Sequence, residues 1–240
     1  MTGSIANLVA AALFLLITHF GISSTPLRGV LTARLGTRAY LGLYSLVAAL
    51  AFWWLGAAYN GAPYEPLWPV AGWQAWVPLL VVPVSLLLIV AGFSTPNPTA
   101  VGQEALLAGA GDGARDGARE PARGILRVTR NPFLWGVGLW ALAHLVPNGD
   151  LASLVLFGTL AVLALGGSAL IDAKLARRLG PAWDRYAART SNLPFAAILS
   201  GRQSFVWREI GWWRVALALV LYAAFLHLHR WVFGVSPLPV

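Results

Sequence analysis

The stretch from Gly124 to Asp150, GILRVTRNPFLWGVGLWALAHLVPNGD, decides how the rest of the chain is read. Basic residues (Arg123, Arg127, Arg130) lead into Asn131-Pro132, and an apolar run follows that carries a lone histidine, His144. The run stops at a tight polar turn, Pro147-Asn148-Gly149-Asp150. Pro132 suits the first turn of a helix, where its missing N–H costs nothing. The closing turn directs the next apolar run, about Leu151 to Ile171, back alongside the first. If this helix pair lies in a bilayer, His144 is a functional candidate by position alone.

Composition places it there. The chain of 240 residues is 58% hydrophobic and only 11% charged, with a mean hydropathy of +0.68, whereas soluble domains carry about 25% charged residues. The expected fold is therefore all-α, a polytopic membrane bundle. A net charge of +8 would suggest nucleic acid in a soluble protein. Here the basic residues gather in particular loops, which points to topology, and no nucleic-acid partner is expected. The absence of cysteine excludes disulfides, thiolate metal sites and cysteine nucleophiles, so any metal must rely on His, carboxylate or backbone groups. His227 and His229 are the only close histidine pair, and residues two apart do not share a helix face.

Six spans are predicted: about Ser4–Ile22, Ala39–Tyr59, Trp73–Phe93, Pro132–Val146, Leu151–Ile171 and Gly211–Phe233. The first lacks the basic residue that would precede a signal peptide's apolar core and is followed by Arg28, Arg34 and Arg38, as in an uncleaved anchor. Pro78 and Pro83 fall inside the third span, where a kink is expected rather than a break. Trp53, Trp54, Tyr59, Tyr64, Trp68, Trp73 and Trp76 crowd one end, as in an interfacial aromatic belt. Of the 17 Lys and Arg, the connections after the first, third and fifth spans hold 3, 5 and 7. Arg214 joins them at the start of the sixth span, and Arg230 alone falls opposite. That alternation predicts six crossings with both termini periplasmic.

Two connections are distinctive. Residues 93–123 pass through GAGDGARDGAREPARG, which has too little apolar surface to build a core and is expected to be a mobile cytoplasmic loop within a single domain spanning 1–240. Between Asp172 and Gly211, LARRLGPAWDRYAARTS reads as a cytoplasmic amphipathic segment interrupted at Gly180-Pro181. Thr190-Ser191-Asn192 either lines the mouth of a pocket or caps and turns a helix. Gly136 and Gly138 on one helix, with Gly158, Gly166, Gly167 and Ser168 on the next, are expected to give close helix contact.

Four blocks, taken in order, carry a resemblance. They are His19-Phe20-Gly21 with Arg28; Arg34-Leu35-Gly36-Thr37-Arg38-Ala39-Tyr40; Thr129-Arg130-Asn131-Pro132 with Trp140 to His144 and Asn148-Gly149; and Arg189 to Ala197 with Gly201-Arg202. Together they resemble the NnrU family of bacterial inner-membrane proteins, to which the plant 15-cis-ζ-carotene isomerase is related. The resemblance implies a multi-pass protein of the bacterial inner membrane that acts in nitrite and nitric oxide metabolism or isomerises a lipophilic polyene. It further implies haem b, with His19 and His144 as ligands of the haem iron and Trp140, Arg130 and Asn131 around the cofactor. The chain departs from the isomerase at Ala141, where the isomerase has a cysteine, and at Asn131, where a histidine is common. At 1.5 Å per residue, His19 lies ~5 Å and His144 ~17 Å from the basic ends of their helices, so tilt would have to remove about 10 Å before both met one iron.

A second resemblance runs through Arg130-Asn131-Pro132-Phe133-Leu134-Trp135-Gly136, Leu179 to Tyr186 and Pro194. These look like the isoprenylcysteine and phospholipid methyltransferases, implying S-adenosylmethionine held around Arg130, Asp172 and Arg189. Asn131, Ala173 and Trp183 depart from that pattern. A non-catalytic assembly or regulatory membrane protein, its arginines and aromatics only fixing topology, completes the set of expectations.

Overall fold

The computed structural model describes residues 3–22, 25, 27–100, 102–108 and 122–239. Helix α1 (Ile5–Leu16) begins at Ser4, whose hydroxyl accepts from the Asn7 amide at 3.2 Å, and continues as a π-helical stretch, Ile17–Ile22. The basic connection after it forms a helix of its own, α2 (Leu27–Leu35), before α3 (Thr37–Gly61). A 3-10 turn, Gly72–Ala75, leads into α4 (Trp76–Ser94). Short helices α5 (Ala105–Ala108) and α6 (Ile125–Val128) precede α7 (Pro132–Leu145), which has proline in its first turn as expected.

Helix α8 (Leu151–Leu179) is capped by Asp150, which accepts from the Ser153 amide at 3.0 Å. It runs on to Leu179 instead of stopping near Ile171, because no breaker intervenes before Gly180, at φ +49°, and Pro181. Beyond that break come α9 (Pro181–Arg189), α10 (Ala196–Leu199), α11 (Trp207–Ile210) and α12 (Trp212–Phe233).

Among the described residues five helices are long and apolar enough to cross a membrane: α1 with its π-helical extension, α3, α4, α8 and α12. The remaining expected span, α7, has 14 residues, or about 21 Å, short of the ~30 Å hydrocarbon layer. The helices stand side by side in the order α12, α4, α7, α8, α1, α3. One end, here the basic end, holds Arg130 and Lys174; the opposite end holds the Asn148–Asp150 turn.

Packing explains the small residues, with a correction. A Cβ on Gly136 would come within 2.8 Å of the Ser85 carbonyl oxygen, so this glycine admits α4, not α8. Ser85 also donates to the Gly136 carbonyl. A Cβ on Gly138 would sit 2.5 Å from Leu165 on α8. Gly166 faces Phe20 of α1, whereas Gly158 and Gly167 meet nothing within 4 Å and serve no close contact. Within α4, Pro83 has no N–H to give the Leu79 carbonyl one turn back. Tyr222 of α12 supplies the missing donor, its hydroxyl reaching Leu79 O at 2.8 Å.

At the opposite end, residues 62–71 fold over the α7–α8 turn. Leu67 and Trp68 amides both donate to Gly149 O, at 2.7 and 3.2 Å, and the Leu151 amide donates to Glu65 O at 2.9 Å. A Cβ on Gly149 would collide with the Trp68 carbonyl oxygen, which is why this turn needs glycine. Trp53, Tyr64, Trp73 and Trp76 are exposed here as a belt requires, while Trp54 and Tyr59 are engaged, with Asn7 and Ser153. Part of the stretch expected to be mobile is packed: Asn97 and Thr99 are buried, and α5 lies against α9. Residues 109–121 of that stretch lie outside the described residues.

Candidate functional site: a buried polar cluster at the basic end

Between α6 and α7 the chain leaves the helical conformation over Thr129–Asn131, with Thr129 extended, because proline at 132 disfavours helix in the residue before it. This strap is held from two sides. The Arg130 amide donates to Ser191 O at 2.9 Å, the Phe195 amide to Val128 O at 2.8 Å, and the Thr129 hydroxyl to Asn192 O at 2.5 Å. Asn97 and Thr99 both donate to the Arg130 carbonyl, at 3.1 and 2.7 Å. The Arg130 block and the Asn192 block, some 60 residues apart in the chain, thus form one backbone unit.

Its side chains converge on Asp172, which the unbroken extension of α8 delivers. Arg130 donates through Nε to Asp172 Oδ2 at 2.9 Å and approaches the same oxygen through Nη2 at 2.8 Å. The other oxygen, Oδ1, accepts from Asn131 Nδ2 at 3.1 Å. Asn131 also reaches Asn192 Oδ1 at 3.4 Å, which takes a second bond from Trp135 Nε1 at 3.0 Å. Arg130 further donates to the Thr190 hydroxyl at 3.3 Å and lies over the Trp183 ring at 5.3 Å. Arg202 closes the C-terminus of α9, donating to Ala187, Ala188 and Thr190 carbonyls at 3.4, 3.0 and 3.0 Å.

One group in this cluster is left over. Tyr186 is buried, its hydroxyl has no hydrogen-bond partner among the described residues, and it lies within the field of Arg130 and Asp172. Burial pushes the phenol well above its ordinary value, with Arg130 opposing and Asp172 adding to the shift. It is a neutral O–H donor at physiological pH. The cluster can therefore neutralise one buried charge and offer one unused hydroxyl.

The structure brings Arg130 and Asn131 together and keeps the other predicted site residues elsewhere. His144, in the last turn of α7, stacks on Phe157 of α8 with ring centroids 5.3 Å apart and planes at 26°. Trp140 lies 4.8 Å from His144 and 5.4 Å from Phe157, so it does wall this histidine. His144 Nδ1 bonds the Trp140 carbonyl at 2.7 Å, and Asn148 donates to the His144 carbonyl at 2.7 Å. His19 sits in the π-helical stretch, facing α3, 5.7 Å from Tyr44 and 5.8 Å from Phe52.

The residue after His19, Phe20, meets α8 at Gly166, whereas His144 meets it at Phe157. Nine residues of helix separate those levels, roughly 13 Å, and α8 stands between α1 and α7. In this arrangement His19 and His144 do not fit one haem iron. No cluster of three or more His, Cys, Asp or Glu occurs among the described residues. Trp135 and Tyr186 entered the sequence reading only as members of the methyltransferase motif, with no role of their own. The methyltransferase resemblance already put Arg130 and Asp172 at one place, and the structure brings them together; the bond from Asn131 to Asp172 was not read from the sequence.

The profile of the NnrU protein family matches residues 7–237. The 15-cis-zeta-carotene isomerase, chloroplastic, of Zea mays is 39% identical over 80 residues, covering 33% of this chain and 22% of the plant protein. That of Arabidopsis thaliana is 39% identical over 82 residues, with the same two coverages, 33% and 22%. The match thus spans about a fifth of the length of these relatives. No solved structure matches. With the profile covering nearly the whole of it, the chain belongs to the NnrU family.

Proposed function

We propose that this chain acts on a lipophilic polyene inside the bilayer, isomerising a cis double bond, as the names of its plant relatives suggest. The observation that carries the proposal is the aromatic-walled histidine at the centre of the helix row. His144, stacked on Phe157 and flanked by a tilted Trp140, forms a cluster of packed rings between α7 and α8. Polarisable aromatic rings suit contact with a conjugated chain, and an ionisable side chain in an apolar span is a functional candidate by position. The topology that goes with this reading has six crossings of a bacterial inner membrane, both termini periplasmic. In it α7 is a short sixth crossing, and the basic-end cluster faces the cytoplasm.

The test is expression in a bacterial host that accumulates 15-cis-ζ-carotene, with isomer ratios read by chromatography. Conversion by the wild type and its loss in His144→Ala are expected. Folded, membrane-inserted protein that leaves the ratio unchanged would overturn the reading and turn attention to nitrite and nitric oxide metabolism. Haem b belongs to the family resemblance, but no step is drawn through it, since His19 and His144 stand apart. An oxidised and reduced absorption spectrum with a pyridine haemochrome assay decides the matter. A Soret band lost in both His19→Ala and His144→Ala would mean that α1 and α7 rearrange to share the iron.

A second reading rests on a different observation. Arg130 and Asp172, two of the three residues that the methyltransferase resemblance puts around the cofactor, are paired at the basic end, with Tyr186 of the same motif in their field. Stoichiometric S-adenosylmethionine binding, lost in Arg130→Gln, would support methyl transfer; no binding would remove it.

A further inference from the structure

A second charged site lies at the basic end, away from the Arg130 cluster. A cleft of about 210 Å³ opens between the end of α4 and the start of α6, closed on its third side by α11 and α12. It is lined by Thr95, Pro96, Arg123, Gly124, Glu209 and Arg214. We propose that this cleft binds the phosphate of an anionic phospholipid headgroup.

The charge balance favours an anion. Glu209 is already committed: it accepts from Arg127 through both oxygens, at 2.8 and 3.0 Å, and from the Gly124 amide at 2.7 Å. Arg127 thereby cancels the one acid, and Arg123 and Arg214 remain as excess positive charge. Arg214 spends three donors on the chain, to Ser94 Oγ at 2.7 Å, Ser94 O at 2.9 Å and Ile210 O at 2.7 Å. A guanidinium has five N–H groups, so some of its donors remain for a ligand. The Arg123 side chain makes no hydrogen bond or ion pair with the described residues and lies close enough to feel the charges of both Arg214 and Glu209. Two guanidinium groups, one unpaired and one anchored, are what bidentate phosphate recognition requires.

The surroundings point to a lipid as the source of the phosphate. Arg214 stacks over the Trp213 ring at 4.6 Å. Trp207, Trp212 and Trp213 are exposed beside the cleft, at 59%, 77% and 43%. Exposed tryptophans at the end of an apolar span mark the headgroup layer. The cleft thus sits where a phosphodiester lies in a bilayer, with room for a phosphate and part of its glycerol.

The experiment uses the full chain in detergent, stripped of lipid, with binding read by native mass spectrometry. The probes are phosphatidylglycerol, phosphatidylcholine and inorganic phosphate. Phosphatidylglycerol is expected to bind preferentially, and Arg123→Gln to weaken it about fivefold, the worth of one basic residue at an anionic surface. The one hydrogen bond at Arg123 is made by its backbone carbonyl, to the Leu126 amide, which the change to glutamine keeps, so this variant is expected to fold as the wild type does. Arg178→Gln, a more exposed arginine paired with Glu104 elsewhere on the same side, should bind normally. Equal binding of phosphatidylcholine, or of phosphatidylglycerol by Arg123→Gln, would overturn the proposal. Saturation by inorganic phosphate with no lipid preference would overturn the lipid assignment.

Discussion

Replacing Asp172 by alanine would show what the basic-end cluster contributes to the bundle. The change removes the acceptor of Arg130 Nε and Nη2 and one of the two acceptors of Asn131. It leaves a guanidinium that is only 13% exposed without its countercharge. Breaking a buried ion pair on one side costs about 3–5 kcal/mol. Arg130 and Asp172 keep some solvent contact, 13% and 15%, so the lower edge, about 3 kcal/mol, is expected. For a chain of this length each kcal/mol moves Tm by about 2–4 °C, so Asp172→Ala should melt about 6–12 °C early. Tryptophan fluorescence of detergent-solubilised protein is the assay, with 12 tryptophans to report. Asp172→Asn keeps the shape and loses the charge, and should fall in between. In the Arg130→Met background, Asp172→Ala should cost much less, giving a coupling of about 2 kcal/mol. Asp172→Ala melting within about 2 °C of wild type, or strict additivity with Arg130→Met, would refute the reasoning.

Further outcomes follow from single contacts. Tyr222→Phe removes the donor that serves the Leu79 carbonyl and should cost about 1 kcal/mol; in Pro83→Ala, where the helix supplies that N–H itself, the same change should be neutral by thermal unfolding. Gly138→Ala drives a methyl group into Leu165 and should destabilise by about 1–3 kcal/mol, whereas Gly158→Ala, facing open space, should stabilise by about 0.5–1 kcal/mol. The hydrogen bonds from Arg127 hold the Glu209 carboxyl below its ordinary value of 4.5. A depressed folded value gives stability that is present above the ordinary value and lost as pH falls through the folded one. Exchange protection of the Gly124 amide, which Glu209 accepts, should therefore drop at acid pH, and Glu209→Gln should flatten that dependence.

What the sequence disclosed was local. Apolar runs, the turn at Pro147–Asp150, proline in the first turn of α7 and the break at Gly180-Pro181 are each written in a few consecutive residues, and each occurs in the structure. The charged tail of α8 was read as an amphipathic segment separate from the apolar span, whereas it continues the same helix to Leu179 because nothing in it breaks a helix. That tail carries Asp172 to Arg130. The helix α2 was missed because Leu27–Leu35 has little apolar excess. Gly136, Gly138 and Gly166 are contact points as expected while Gly158 and Gly167 are not, and which helix each one met depended on the lateral order of the bundle. That order is set by contacts between residues far apart in the chain, such as Gly136 with Ser85.

The two histidines show where local reading ends. Counting along each helix already put them about 10 Å apart in depth, and the levels at which Phe20 and His144 meet α8 give about 13 Å. Depth was therefore legible from the sequence. The intervening helix was not: α8 packs against both α1 and α7, so tilting α1 alone cannot carry His19 to His144. Sharing a ligand would require α1 to slide along α8 or α8 to withdraw, and the second would pull Asp172 from Arg130 and Leu165 from Gly138. A two-histidine site reached by withdrawing α8 would thus compete mechanically with an intact basic-end cluster. Under conditions that made both histidines necessary for cofactor retention, Asp172→Ala should ease that rearrangement, and a cofactor held more tightly in the variant would reveal it.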